Sequence, residues 1–340
     1  MIVRDAGEDW LLIRQQDHAE LAAALAAAVV TPPALPDGLG WTAVVGAVRR
    51  HDDGWQEHDA APVWSAEHRR VRNFDQYSMV EATTIWRDSV RRTQALVLQP
   101  AEWFDRRIDR RMYEWVCCAV AAGGPQSMAE LRVLYQAQVG LPVVEAELTA
   151  VIDAMRGAGA LRSTGDLLEL DPWHRPRAEL SALWVSRHFD HLAEHAEQHR
   201  HDRPDEVAAC TAFRMDHRRW TESARNACSS LLTDAELTQA AETGYRAVQL
   251  FDRLSLELCL QTEPSRHRIE TPGWPSLEWE LSGGSQVRCS PALFGPEPLF
   301  VTVPARRVAK DCGRSAAAWD AGWKSAVTET LIWKIEGQAP

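Results

Sequence analysis

The sequence predicts a mainly α fold: a helical core interrupted by an inserted module and followed by a small β-rich C-terminal appendage. Three observations predict it. Long stretches of strong helix formers repeat apolar residues at three- and four-residue spacing, the period of a one-sided helix. One central segment changes character to three short helical runs closed by a tight strand pair. Period-two alternation, the mark of strands, gathers after Glu263. The resulting boundaries are a first core segment at 1–103, the insertion at 104–174, a second core segment at 175–262 and the appendage at 263–340.

Taken in order, "IVRDAGEDWLLIRQQ" alternates about a turn at Gly7 and reads as a short hairpin or strand. "QDHAELAAALAAAVV" is a first helix, and the prolines and glycines of "TPPALPDGLG" end it. A second helix over about 41–52 stops at Gly54, and "VEATTIWRDSVRRTQALVL" is a third. The insertion runs through "RRMYEWVCCAVAA", a Gly-Gly-Pro break, "SMAELRVLYQAQ" and "PVVEAELTAVIDAMRGAG", then a strand, a Gly-Asp turn and a second strand in "ALRSTGDLLELDP". Helix, helix, helix and wing is the order of a winged-helix domain. Long helices resume in "RAELSALWVSRHFDHLAEHAEQHR" and "TDAELTQAAETGYRAVQLFDRLSLELCLQ". The end alternates: "SLEWEL", a Gly-Gly turn, "QVRCS", "LFVTV", a short helix at "SAAAWDAGW" and a last strand in "VTETLIWKI".

Composition narrows the function classes. With 340 residues, 45% hydrophobic and 25% charged, the chain reads as an ordinary soluble globular protein. A net charge of −11 argues against a general nucleic-acid or anionic-membrane surface. The start lacks a secretory signal, and "LAAALAAAVV" is too short to span a bilayer. Seven cysteines without C-x-x-C spacing, two of them adjacent at Cys117 and Cys118, fit reduced thiols and a cytoplasmic location. The expected recognition helix of the inserted module carries Glu145, Glu147 and Asp153 against Arg156 alone, which opposes DNA binding and leaves a protein or peptide partner there.

The chemistry gathers around an adjacent His-Asp pair. That dipeptide occurs three times, as His51/Asp52, His58/Asp59 and His201/Asp202, and its surroundings separate the three. His51 lies three after Val48 and seven after Val44, and Asp52 four after Val48, so both point with the apolar stripe. His18 shares a face with Leu21, Ala22 and Leu25; His188 follows Trp184 by one turn, with His191 one turn further on; Asp252 shares a face with Val248, Leu256 and Cys259. "QHRHDRPDE" is polar throughout and "EHDAAP" reads as loop. Ionisable groups aimed inward need compensating partners. One or two divalent ions, iron, manganese or zinc, would serve them all, since imidazole and carboxylate are common donors to each. The alternative is that each histidine is satisfied separately by a carbonyl or carboxylate.

This order, a His, an adjacent His-Asp at the end of the next helix, a later His and a final Asp, resembles the HD-domain superfamily of metal-dependent phosphohydrolases and its mixed-valent di-iron oxygenase relatives. "QQDHAELAAALA", "HDDGWQEHDAAP", "LWVSRHFDHLA" and "QLFDRLSLELC" also resemble a bacterial family known as a domain of unknown function, over about residues 1–100 and 178–340. The resemblance implies an HD-like core in which His51, Asp52 and Asp252 are central ligands, Asp52 bridges two metals, His18 completes the first site and His188, with His191, serves a second. His51, Asp52 and His188 would carry catalysis. Two departures stand out. The further His that many relatives place after the His-Asp pair has only His58, His68, Glu81 or Asp88 as counterparts, and residue 55 is Trp where Lys is frequent.

The first expectation for function is hydrolysis of a phosphoester of a small molecule or nucleotide, with Arg49, Arg50, Arg187 and Arg253 beside the ligands in sequence as grips for an anion. The second is di-iron oxidation of a C–H bond on a peptide or natural-product substrate. The third is a non-catalytic helical scaffold that binds a protein partner. Ser255, three after Asp252, is expected to support a ligand carboxylate or to bond its own helix.

Overall fold

An N-terminal hairpin opens the chain, β1 (Ile2–Ala6) and β2 (Asp9–Ile13), turning at Gly7 with φ 75°. In the computed structural model, which describes residues 1–97, 112, 115–116, 119–120, 126–139, 145–157, 161–200, 202–261, 263–282 and 285–337, α1 (Gln15–Ala27) follows β2 after one residue. Then come α2 (Trp41–Arg50), the short α3 (Gln56–Ala60), a two-residue strand pair β3 (Trp64–Ser65) and β4 (Arg70–Val71), and α4 (Met79–Val97).

The chain divides into two compact units, residues 1–93 with 180–340, and residues 94–179. The second unit contains β5 (Gln126–Ser127), α5 (Met128–Val139), α6 (Glu145–Gly157), β6 (Leu161–Thr164) and β7 (Leu167–Leu170). Its three strands form a sheet in the order β5-β7-β6, with Gly165 at φ 65° in the turn of the hairpin. Leu131, Leu148, Ile152, Met155 and Leu168 share its core. The helix expected through "RRMYEWVCCAVAA", with Cys117 and Cys118, falls largely outside the described residues.

In the first unit, α7 (His174–His199, shared with the second unit at its start), α8 (Pro204–Cys228) and α9 (Asp234–Leu260) carry the chain to five strands. Thr233 caps α9: its hydroxyl accepts from the Glu236 N–H while Glu236 reaches back to the Thr233 backbone. The strands are β8 (Ser265–Ile269), β9 (Leu277–Leu281), β10 (Gln286–Ser290), β11 (Leu299–Ala309) and β12 (Val327–Gly337), with α10 (Ala316–Ser325) between the last two. The Gly-Gly turn expected at 283–284 lies outside the described residues.

The mainly α expectation is overturned here. The C-terminal strands are no appendage, because β11 pairs with β2 of the hairpin and closes a seven-stranded sheet in the order β1-β2-β11-β12-β10-β9-β8. All neighbours are antiparallel except β10 and β12. The fold is α/β. Alternation announced six of the seven strands, β8 excepted, but a period carries no information about a partner roughly 290 residues away. Helix α1 packs against α2, α9 and β11, and α9 also reaches β1, so the first and ninth helices lie against this sheet and the second packs on both of them. No described helix is long and apolar enough to cross a membrane.

Candidate metal centre

Four side chains converge where α1, the end of α2 and α9 meet. His18 stands one turn into α1, a helix whose start is set by β2; the inner face around it is small or aliphatic, with Ala19, Leu21, Ala22 and Leu25 buried. Small residues there let neighbouring helices come close. His51 is the C-cap residue of α2, still helical at φ −57°, ψ −26°, and Asp52 leaves the helix at φ −108°. The next three residues, Asp53–Trp55, form a 3-10 turn. Gly54 has a packing reason: a Cβ on it would lie 2.1 Å from the Ile85 carbonyl oxygen of α4, and its N–H donates to Ser89 Oγ at 2.9 Å. Asp252 comes from α9, and the approach of α9 to α7 rests on Gly244, where a Cβ would collide with the Trp184 ring. The Trp184 indole N–H donates to the Ala240 carbonyl at 3.0 Å.

The donor atoms are closely spaced. His51 Nε2 lies 3.1 Å from Asp252 Oδ1 and 3.5 Å from Asp52 Oδ2. His18 places Nδ1 3.4 Å from Asp52 Oδ2 and Nε2 3.3 Å from Asp252 Oδ1. One atom from each of His18, His51, Asp52 and Asp252 lies within 4.8 Å of the others, so the four could hold a metal ion. Donors at about 2.0–2.2 Å from one tetrahedral ion sit roughly 3.3–3.6 Å apart; the two His51 Nε2–carboxylate distances are close to that, and the four-atom set as a whole spreads to 4.8 Å.

Electrostatics give the same reading. The Nδ1–H of His51 is directed to the Val48 carbonyl at 2.7 Å, which fixes the ring and leaves Nε2 facing two carboxylates. A neutral imidazole would turn a lone pair on those oxygens, so the site calls for a proton or a cation. Burial disfavours the imidazolium, but the carboxylates of Asp252 and Asp52 outweigh it, and His18 is pushed up to about 10. His51 is raised against the same burial, by Asp52 and then Asp252. Burial also works against the Asp252 carboxylate, yet His18 and His51 hold it well below its ordinary value. The Nδ1 of His18 is buried with no hydrogen-bond partner, an orphan that a cation would satisfy.

His188 stands beside this group. Its Nε2 is 3.6 Å from Asp252 Oδ2, its ring centroid 5.9 Å from that of His51, and its Nδ1 is buried without a hydrogen bond. Burial lowers its pKa, and Asp252 does not compensate. The carboxylate shared between imidazoles on both oxygens is therefore Asp252, not Asp52. His191 is exposed and outside the group. His58 packs edge-on against Trp55 and Tyr77, and His68 is exposed. Glu81 caps α4 with Ser78 and pairs with Arg72 at 2.9 Å, the guanidinium above all holding it at about 2, while Asp88 pairs with Arg91. Asp59, expected in a loop, is buried in α3 and pairs with the Met1 amine at 2.6 Å; His201 lies outside the described residues. Ser255 donates to the Phe251 and Asp252 carbonyls of its own helix.

Above the donors opens a cavity of about 540 Å³, floored by His18, Asp52, His188 and Asp252. Trp55, Phe74, Tyr77, Trp86 and Phe189 wall it, and His195, His199 and Arg200 lie further along α7 and just past its end. None of Arg49, Arg50, Arg187 or Arg253 lines it. Arg49 pairs with Glu20, Arg50 with Asp53 and Arg187 with Glu242, while Arg253 is exposed. The cavity residues of α7 were legible in principle: Leu192, His195 and His199 follow His188 by four, seven and eleven, the period of one helix face.

A family model described as "Protein of unknown function (DUF3891)" matches residues 1–96 and 169–310. The chain belongs to that family. All four candidate donors and His188 lie within the DUF3891 match, and the internal stretch it omits, 97–168, falls inside the second unit. No curated protein and no solved structure matches the chain.

Proposed function

We propose that the protein is a metal-dependent hydrolase of the HD type that cleaves a phosphoester of a small molecule, with one divalent ion held by His18, His51, Asp52 and Asp252. The observation that supports it is the convergence of these two imidazoles and two carboxylates, three of which, His18, Asp52 and Asp252, floor a cavity large enough for a substrate. A zinc, manganese or iron ion bound there supplies Lewis acidity, activating water and stabilising charge on the phosphoryl oxygens. The chain does the rest. The Val48 carbonyl orients His51, Asp252 ties the two sides of the floor together, and the aromatic walls keep bulk water from the reacting group. His188 reaches the same floor as a hydrogen-bonding group for substrate.

A two-iron oxygenase needs donors for a second ion. Among the described residues His188 is the single extra imidazole at the floor, and Glu81, Asp88, His58 and His68 are engaged or placed elsewhere. One-ion hydrolysis is thus the better supported chemistry. Elemental analysis of protein purified without added metal, with hydrolysis of bis(p-nitrophenyl) phosphate and a nucleotide panel, tests it. The expected result is about one zinc, manganese or iron per chain, with hydrolysis abolished by chelator and by His51→Ala. Metal-free protein whose stability ignores chelator would overturn the reading, and paired iron with a mixed-valent signal would replace it by oxygenation.

A further inference from the structure

The walls and charges of the cavity bear on what it admits. Its lining is mostly apolar: Trp55, Phe74, Tyr77, Trp86 and Phe189 stand between the donors and the opening. Trp86 and Phe189 stack in parallel at 5.2 Å, and Trp55 meets Tyr77 edge-on at 5.0 Å, so these rings brace one another and form fixed surfaces. The carboxylates of the lining are Asp52 and Asp252 on the floor and Asp75 on the wall, set among the imidazoles of His18, His188, His195 and His199. Among the described residues its one guanidinium, Arg200, is already engaged by Glu206.

Phosphomonoester sites spread two negative charges over arginines or lysines, and among the described residues no such clamp lines this cavity. With a divalent ion held, Asp52 and Asp252 cancel its charge, and a dianion would enter an apolar chamber without a counter-charge. Without the ion the floor still carries both carboxylates and, among the described residues, no arginine or lysine. A monoanion, whose remaining phosphoryl oxygen is esterified, removes most of that penalty, and a planar apolar ester arm would lie against the rings.

Building on the hydrolase reading, we infer that the substrate is a monoanionic phosphodiester with at least one aromatic or similarly flat apolar arm, in preference to a dianionic monoester. Cleavage adds water across one P–O ester bond: a hydroxyl oxygen bonds to phosphorus, the alkoxide or phenoxide leaves and takes up a proton, and the products are a monoester and an alcohol or phenol.

Calorimetric binding of three probes to the full chain tests this apart from catalysis. Methyl phenyl phosphate against phenyl phosphate changes the charge at one ring, and diphenyl phosphate against methyl phenyl phosphate adds a ring at one charge. Each step is expected to tighten binding, the added ring by about tenfold. The order should hold with and without added zinc, because both floors disfavour the dianion. Leu192→Lys, at a half-exposed wall position, should narrow the gap between methyl phenyl and phenyl phosphate, and Phe74→Ala should erode the gain from the second ring. Phenyl phosphate binding as tightly as methyl phenyl phosphate, or a gap untouched by Leu192→Lys, would overturn the inference while leaving the metal and hydrolysis results to judge the hydrolase reading by themselves.

Discussion

Two His-Asp pairs stand seven residues apart, and the protein uses them in opposite ways. His51 and Asp52 end α2 and face His18 and Asp252 across a space with the spacing of metal donors. In the second pair the residues part company. His58 leans on Trp55 and Tyr77, while Asp59 turns inward to accept from the Gln15 N–H at 2.5 Å and to pair with the Met1 amine. Both aspartates are buried, so burial does not separate them. What does is the neighbour: Asp59 meets an ammonium and a backbone N–H that already carry protons, whereas Asp52 meets imidazole nitrogens that leave a cation wanting. One pair joins a cluster that could hold a metal ion, and the other holds α1 and the hairpin in place.

The sharpest way to break this contrast is to remove each pair in turn. His51→Ala or Asp52→Ala should reduce bound metal to background, as read by elemental analysis, and lower hydrolysis ~1,000-fold or more, the scale of losing several kcal/mol of transition-state stabilisation. Asp59→Ala should do the reverse, costing about 3–5 kcal/mol in denaturant unfolding because a buried ammonium is left without its partner, with metal stoichiometry retained in the folded fraction. Metal loss in Asp59→Ala at full stability would erase the distinction. Gly54→Ala touches the frame of the first pair alone. Its Cβ drives α4 from the His51–Asp52 turn, for an expected loss of ~1–3 kcal/mol together with weaker metal retention under chelator.

The pH response should also divide the metal-free from the loaded protein. In metal-free protein the folded pKa of His18 lies near 10, above its ordinary 6.5. Its contribution to stability is therefore complete below about 6.5 and fades as pH rises toward 10. The depressed Asp252 contributes in the opposite sense, present above its ordinary value and lost in acid as it takes up a proton. A bound ion replaces the His18 proton, so loaded protein should hold its unfolding midpoint from neutral to alkaline pH where metal-free protein declines. The smallest effect belongs to His191→Ala, expected within about 0.5 kcal/mol of the parent and with full metal content, as suits an exposed side chain.

The donors themselves were readable from periodicity, because an apolar stripe with an imidazole in it reports a direction. His191 shows the limit. Three positions on from His188 is about 60° off its face, and seven positions on is about 20° off, so His195 faces the cavity and His191 does not. Helical α3 escaped notice because five residues are too few to display a period. Trp86 and Arg200 were not legible as cavity residues, since which face of α4 meets α7 is set by packing among Trp86, Phe189 and Phe213 rather than by spacing along the chain. The sheet failed for a related reason: six of its seven strands were legible, its pairing was not.

That pairing sets a timetable on the ribosome. The hairpin bearing β2 is made early, and its partner β11 emerges about 290 residues later, a wait of roughly 15–60 s at ordinary elongation rates. Until then β2 is an unclaimed edge, and the first turn of α1, with His18 on it, hangs from a strand without its final neighbour. Nascent chains stalled before β11 should therefore be more open to proteolysis and self-association than full-length chains.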